Sequence, residues 1–174
     1  MKKNNQKNKL ETEKKYNSIV DEFRRHKRLA KKFRLSKNDC NFVWDCLLTT
    51  FKATFKIKRD LELNLEFGLK IQNIHTNYKI TTFDPTTKEL QIDWKNHQDL
   101  YWLKFKIKKS ILNKPIIKIT EHVYRSTPFW GLQDVAGIWL LKKNFKKQMK
   151  QFVKGLKLVI ANNNSIPDEI NESI

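Results

Sequence analysis

Leu35-Ser36-Lys37-Asn38-Asp39-Cys40 opens the stretch that decides the fold, and Leu61-Glu62-Leu63-Asn64-Leu65-Glu66-Phe67-Gly68 closes it. Ser36 reads as a helix N-cap, and Asp39, three residues on, completes a capping box that satisfies orphan backbone donors. Cys40, Val43, Trp44, Leu47, Leu48, Phe51 and Phe55 then recur in steps of three and four, which predicts one amphipathic helix as far as Phe55. Beyond it the period changes to two. Leu61, Leu63, Leu65 and Phe67 alternate with polar residues, as in a half-buried strand, and Gly68 marks a bulge or bend.

With 174 residues the chain has room for one domain and an appendage. Hydrophobic residues make up 39% and the formal net charge is +18, with a pI near 9.9. Charge so one-sided opposes compaction unless a polyanion offsets it, so nucleic acid is the first partner class implied and an anionic membrane surface the second. Cys40 and Cys46 share one predicted helix and stand about 9 Å apart along its axis, too far for a bridge. They read as small buried thiols in a reducing compartment. Met1 to Lys15 has no apolar signal segment, and the run Val135 to Leu141 is too short to span a bilayer, so the expected location is cytoplasmic.

Outward from the central stretch, residues 1–15 read as a disordered basic tail. Tyr16 to Arg34 reads as a first helix, with Ile19, Val20, Phe23, Leu29, Ala30 and Phe33 apolar and the other face basic. After Gly68 comes a second strand through Ile74, Tyr78 and Ile80. A turn around Asp84-Pro85 follows, then a return strand through Leu90, Ile92 and Trp94. Asp99 caps a further predicted helix containing Tyr101, Leu103, Phe105, Ile107 and Ile111. Ile116 to Val123 is a short strand, and a last lysine-rich helix runs from about Leu132 to Val159. That helix packs on the core with its lysines extending a binding face, or lies on a membrane surface.

The order of these elements resembles the HU/IHF family of bacterial histone-like DNA-binding proteins. Leu35-Ser36-Lys37-Asn38-Asp39 looks like the family's Leu-Ser-Lys-Lys-Asp, and Phe67-Gly68 sits where the family has Gly-Phe-Gly. Asp84-Pro85-Thr86-Thr87-Lys88-Glu89 resembles its arm-tip Asn-Pro-x-Thr-Gly-Glu, and Phe105 to Ile111 its Phe-Lys-x-Gly-Lys-x-Leu. Phe83 and Asp84 stand where the family has arginine and asparagine. The resemblance implies an α+β fold: two N-terminal helices, a three-stranded antiparallel sheet with a protruding β-ribbon arm, a C-terminal helix, and here an extra helical extension. Its domain would span residues 16–112, with an extension over 113–160 and a loose tail over 161–174.

The same resemblance implies a nucleoid-associated protein that binds and bends double-stranded DNA with little sequence preference. It would act as a homodimer, or as a heterodimer with a relative. Val43, Trp44, Leu47, Leu48, Phe51 and Phe55 would form the dimer interface, since they present more apolar surface than one thin sheet covers. Lys70, Lys79, Lys88, Lys104, Lys106, Lys108 and Lys109 would contact phosphates. Pro85 and Phe83 would wedge between base pairs at the arm tip; a turn residue and a cross-strand packing residue are the plain alternatives. Other readings of the same charge are an RNA- or ribosome-associated basic protein, or a phage or mobile-element structural protein. His26, His75, His97 and His122 lack metal-ligand spacing, and Glu121-His122 is a pair whose side chains point to opposite faces of a strand. No catalytic constellation stands out, so the expectation is a protein that is not an enzyme, needs no cofactor, metal or small-molecule substrate, and has no membrane partner.

Overall fold

A computed structural model of the chain describes residues 25–35, 39–71, 74–126 and 131–164. The elements in order are β1 (His26–Arg34), α1 (Cys40–Phe55), β2 (Glu66–Ile71), β3 (Ile74–Asp84), β4 (Glu89–Asn96), β5 (Asp99–Lys109), β6 (Pro115–Tyr124) and α2 (Gly131–Asn164). The strands form one six-stranded antiparallel sheet in the order β1-β6-β5-β4-β3-β2. β2 to β6 is a meander of consecutive neighbours, and β1 joins it at the far side, beside β6.

This is not the fold that the HU/IHF resemblance implies. Two segments expected to be helices are strands, and the reason is period. In β5, Leu103, Phe105 and Ile107 are buried, while Lys104, Lys106 and Lys108 between them are not. That alternation of two belongs to a sheet with one wet face. In β1, Leu29 is buried and Phe33 packs on the core, with Arg28, Lys32 and Arg34 on the other side. Leu29 and Phe33 are four apart, a spacing that suits helix and strand alike. Residues 16–24 of the expected first helix lie outside the described residues.

α1 ends at Phe55, as its apolar steps predict, and Lys56 closes it in a left-handed conformation with φ 54°. Its start differs by a turn. Asp39, not Ser36, is the N-cap and accepts a hydrogen bond from the Asn41 amide at 2.7 Å; Ser36 itself lies outside the described residues. The strand expected from Leu61 begins only at Glu66, because Asn64 turns the chain at φ 66°. Leu61 and Leu65 are buried in that turn. Gly68 marks a close approach, since a Cβ there would meet the His75 ring at 2.8 Å. The register shift falls in β3, between Ile80 and Thr82.

Both helices lie on one face of the sheet. Phe51 of α1 meets Phe105 of β5 edge-on at 5.8 Å, and Phe105 meets Phe152 of α2 at 5.0 Å. The apolar face expected to pair two copies is therefore covered by its own chain. Val43, Leu47 and Phe51 are fully buried, Trp44 is nearly so, and Leu48 and Phe55 pack against the same core. The hairpin expected to project as an arm is also part of the body: β4 pairs with β5 from Glu89 to Asn96, and Phe83 leans on Trp44 at 6.2 Å. The expected boundary at 112/113 falls within the sheet, since β6 lies between β1 and β5.

Candidate functional site

The inward positions of four neighbouring strands carry aromatic rings in a single row. Phe67 of β2 stands opposite Tyr78 of β3, Tyr78 opposite Trp94 of β4, and Trp94 opposite Tyr101 of β5. Their centroids are 5.4, 5.5 and 5.3 Å apart, within the range in which rings attract beyond their buried area. The row is set by register: each ring is at an inward parity position of its strand, and the pairing brings the four into line.

α2 crosses above the middle of this row and does not close onto it. Between them is a cavity of about 440 Å³. Tyr78, Ile92, Trp94, Leu103 and Phe105 form its floor, Met149, Phe152 and Gly155 of α2 its roof, and Thr50, Thr54 and Phe55 of α1 its side wall. Gly155 leaves room where α2 passes α1, since a Cβ there would find Thr50 Cγ2 at 3.8 Å, an ordinary contact. The hydroxyls of Thr50 and Thr54 donate back to the carbonyls of Cys46 and Thr50 within α1, so the side wall is less polar than its residue names imply. Gln148 and Gln151 of α2 stand on the exposed rim.

Glu121 supplies the one carboxylate among the described lining residues. It sits in β6 on the inward series Ile117, Ile119, Glu121, Val123, where its neighbours across the sheet are Leu29 and Leu103. Burial pushes its carboxyl up to about 7, because a charge in apolar surroundings loses its hydration. Burial also raises the Tyr78 phenol. The cavity therefore has aromatic and aliphatic walls and a carboxyl that exchanges its proton near neutrality. Among the described residues, no group of His, Cys, Asp or Glu is placed to hold a metal ion.

His122, next to Glu121, points the other way, as strand alternation requires. Its Nδ1 lies 2.8 Å from His26 Nε2, and Trp102 stacks on both rings. Burial lowers the His122 pKa, with His26 and the cations Arg28, Lys104 and Lys118 adding to the effect.

The lysines expected to bind DNA stand outside the cavity, most of them at outward positions of the sheet. Lys104, Lys106 and Lys108 project from the outer face of the sheet, away from the cavity, and Glu89 forms ion pairs with Lys104, at 2.5 Å, and with Lys106. Lys79 pairs with Glu66 at 3.3 Å, Lys70 is exposed on β2, and Lys109 ends β5. Phe83 is a packing residue against Trp44. Pro85 and Lys88 belong to the turn that Asp84 closes, accepting hydrogen bonds from the Thr86 and Thr87 amides at 2.8 and 3.0 Å. Nothing in the sequence pattern marks Tyr78, Trp94 and Tyr101 as site residues, and Glu121 stands out there only as half of the pair with His122. One signal was available for Glu121: a lone carboxylate on the apolar side of an alternating strand.

A six-stranded antiparallel sheet with two helices on one face matches the Bet v 1-like fold. Among solved structures the chain is similar to Ara h 8.0201, at 8% identity and a TM-score of 0.56, over 79% of this chain and 99% of that one. It is similar to norcoclaurine synthase from Thalictrum flavum in complex with dopamine and hydroxybenzaldehyde, at 10% identity and a TM-score of 0.56, over 82% and 92% of the two chains. A Bacillus halodurans protein solved in solution matches at 16% identity and a TM-score of 0.55, over 77% and 96%. Likeness at such identities establishes the fold and nothing finer. No protein-family model matches the chain, and no curated protein matches it in sequence. These likenesses overturn the HU/IHF assignment. With it go the nucleoid-associated, DNA-bending function, the RNA-associated and mobile-element alternatives, and the expected DNA and dimer partners.

Proposed function

We propose that the protein binds a small, largely apolar molecule with an aromatic ring in the cavity between α2 and the sheet. The observation that carries this reading is the pairing of a ring-lined floor, Tyr78 and Trp94, with one buried carboxyl, Glu121. A cavity of about 440 Å³ suits a ligand of one to three rings. Rings of the ligand lie against the aromatic row, and Glu121 accepts a hydrogen bond from an amine or hydroxyl on it. The Thalictrum protein, which shares the fold, was solved with two small aromatics, one of them an amine.

The reading is one of binding without chemistry. It is supported by a lining that, among the described residues, offers Glu121 no histidine, lysine or cysteine as a catalytic partner. A carboxyl near 7 favours a second reading, acid–base catalysis on the bound ligand, because a proton donor works best when its pKa matches the medium. A ligand recovered unchanged after prolonged incubation supports holding; recovery as a different compound supports catalysis.

Fluorescence titration with 1-aminoanthracene and with anthracene tests the site. Both are expected to bind saturably and to quench tryptophan emission. Glu121→Gln is expected to weaken the amine by roughly tenfold, the order of a hydrogen bond to a charged acceptor, and to leave the hydrocarbon unchanged. Gly155→Leu, which fills the roof, is expected to abolish both while the thermal midpoint is retained. Binding that survives Gly155→Leu in a folded protein rules the cavity out.

A further inference from the structure

We propose that the outward face of α2 docks in the plane of an anionic lipid bilayer. The proposal stands apart from the cavity reading and survives its failure.

α2 buries Phe145, Met149, Phe152, Val153, Leu156 and Ile160 against the sheet and α1. At 3.6 residues per turn, Leu140, Lys143, Lys147 and Leu158 fall on the opposite side, and Trp139 on the flank about a quarter turn from the buried centre. Large apolar side chains stand in solvent along the helix: Leu158 is 58% exposed and Leu140 51% on that side, Trp139 60% on the flank, and Val135 64% in the first turns. Neither α1 nor a strand comes over them. From Val135 to Asn164 the helix has lysines from Lys142 to Lys157 and no Asp or Glu. Lys143 Nζ lies 4.9 Å from the centre of the Trp139 ring, so an apolar group and a cation already share one spot.

The combination selects the partner. A flexible polyanion satisfies the lysines and leaves Trp139, Leu140 and Leu158 wet. A second copy of the chain covers the apolar groups and sets lysine against lysine. A bilayer with acidic headgroups satisfies both at once: indole and leucine enter the boundary between headgroup and acyl chain, and the lysine stems lie along the surface with their ammonium groups at the phosphates. No helix among the described residues is long and apolar enough to cross a membrane, which fits a helix lying in the surface. The 34-residue α2 presents an edge of about 50 Å to it. The outer face of the sheet, with Arg28, Lys32, Lys106, Lys108 and Lys118, is also basic, but it lies on the far side of the sheet; its exposed Leu100 stands at the opposite end of β5 from Lys106 and Lys108, while Ile111 and Leu112 are exposed in the β5–β6 turn.

Sedimentation of the full chain with vesicles tests the proposal. One set is phosphatidylcholine alone, the other equal parts phosphatidylcholine and phosphatidylserine. Binding is expected to the mixed vesicles and to fall with added salt. Trp139→Ser with Leu140→Ser is expected to cut partitioning by roughly tenfold or more through lost apolar burial. Lys147→Glu with Lys150→Glu is expected to cut it by roughly tenfold or more through lost attraction. Lys106→Glu with Lys108→Glu, on the sheet, is expected to leave it within about twofold. These positions are exposed except Lys106, which is half-buried and paired with Glu89, and circular dichroism checks that each variant is folded. Three results overturn the proposal: mixed vesicles that fail to bind the parent chain, α2 variants that bind like the parent, and loss of binding confined to the sheet variant. Self-association that Trp139→Ser with Leu140→Ser abolishes, without vesicle binding, also overturns it.

Discussion

The two faces of the sheet are made from the same strands and have opposite chemistry. Inward, β5 presents Tyr101, Leu103, Phe105 and Ile107; outward it presents Trp102, Lys104, Lys106 and Lys108. β6 presents Ile117, Ile119, Glu121 and Val123 inward, and Lys118, Thr120 and His122 outward. On the inner face of these two strands the exception to apolarity is Glu121, the carboxyl proposed to meet the ligand. On the outer face the exceptions to positive charge, such as Glu89 between Lys104 and Lys106, lessen repulsion. The lesson is that a departure from the pattern means different things on the two sides: inside it points to a site, outside to charge balance.

The largest effect that would break the inner face comes from Phe105→Ala. Phe105 is fully buried between Phe51 and Phe152, so both helices lose their seat on the sheet. A loss of about 3–5 kcal/mol is expected in urea unfolding. A thermal midpoint lower by about 10 °C should accompany it.

Next is Glu121→Gln. The folded carboxyl lies near 7, above the ordinary 4.5. The parent is thus favoured fully below 4.5 and loses stability as pH rises through 7, because folding then holds a charge in apolar surroundings. Glutamine removes that loss. The variant should exceed the parent by about 3 kcal/mol above pH 7, and the difference should close below 4.5, as read from denaturant midpoints across pH.

The smallest is Lys118→Gln on the outer face. Partial burial and then the charges of Arg28, Lys108, Lys32 and Lys106 lower the pKa of this ammonium, so its positive form is held at a cost. The variant should be more stable by at most about 0.5 kcal/mol at low ionic strength, and salt should erase the gain. A destabilised variant would mean that the lysine stem packs more than its charge repels.

How much of this could be read from the residues alone differs element by element. α1 was open to reading because seven apolar residues in steps of three and four admit no strand. β5 held its alternation in plain view from Tyr101 to Lys108; the likeness of Phe105-Lys106-Ile107-Lys108-Lys109 to a helical motif concealed it. A short motif is a weaker guide than the period of the segment that holds it. β1 was ambiguous, because Leu29 and Phe33 suit both periods and Lys31 falls on the inward side. The cavity was beyond reach. It exists because α2 crosses the sheet over Tyr78 and Trp94, and a crossing is set by packing between segments distant along the chain. Glu121 was noticed and set aside with His122, correctly as a pair on opposite faces, though its own face was the one that mattered.

β1 has a consequence for the order in which the molecule assembles. It is the earliest of the six strands along the chain, and its partner is the last: His26 meets Tyr124, and Arg34 meets Ile116. The other five can zip as successive hairpins while β1 waits for a loop of about ninety residues to close, the slowest step that loop entropy allows. During synthesis β1 is therefore an unpaired strand, the kind of segment that sticks to its own copies. Its Lys27, Arg28, Lys31, Lys32 and Arg34 make two such strands repel until β6 arrives.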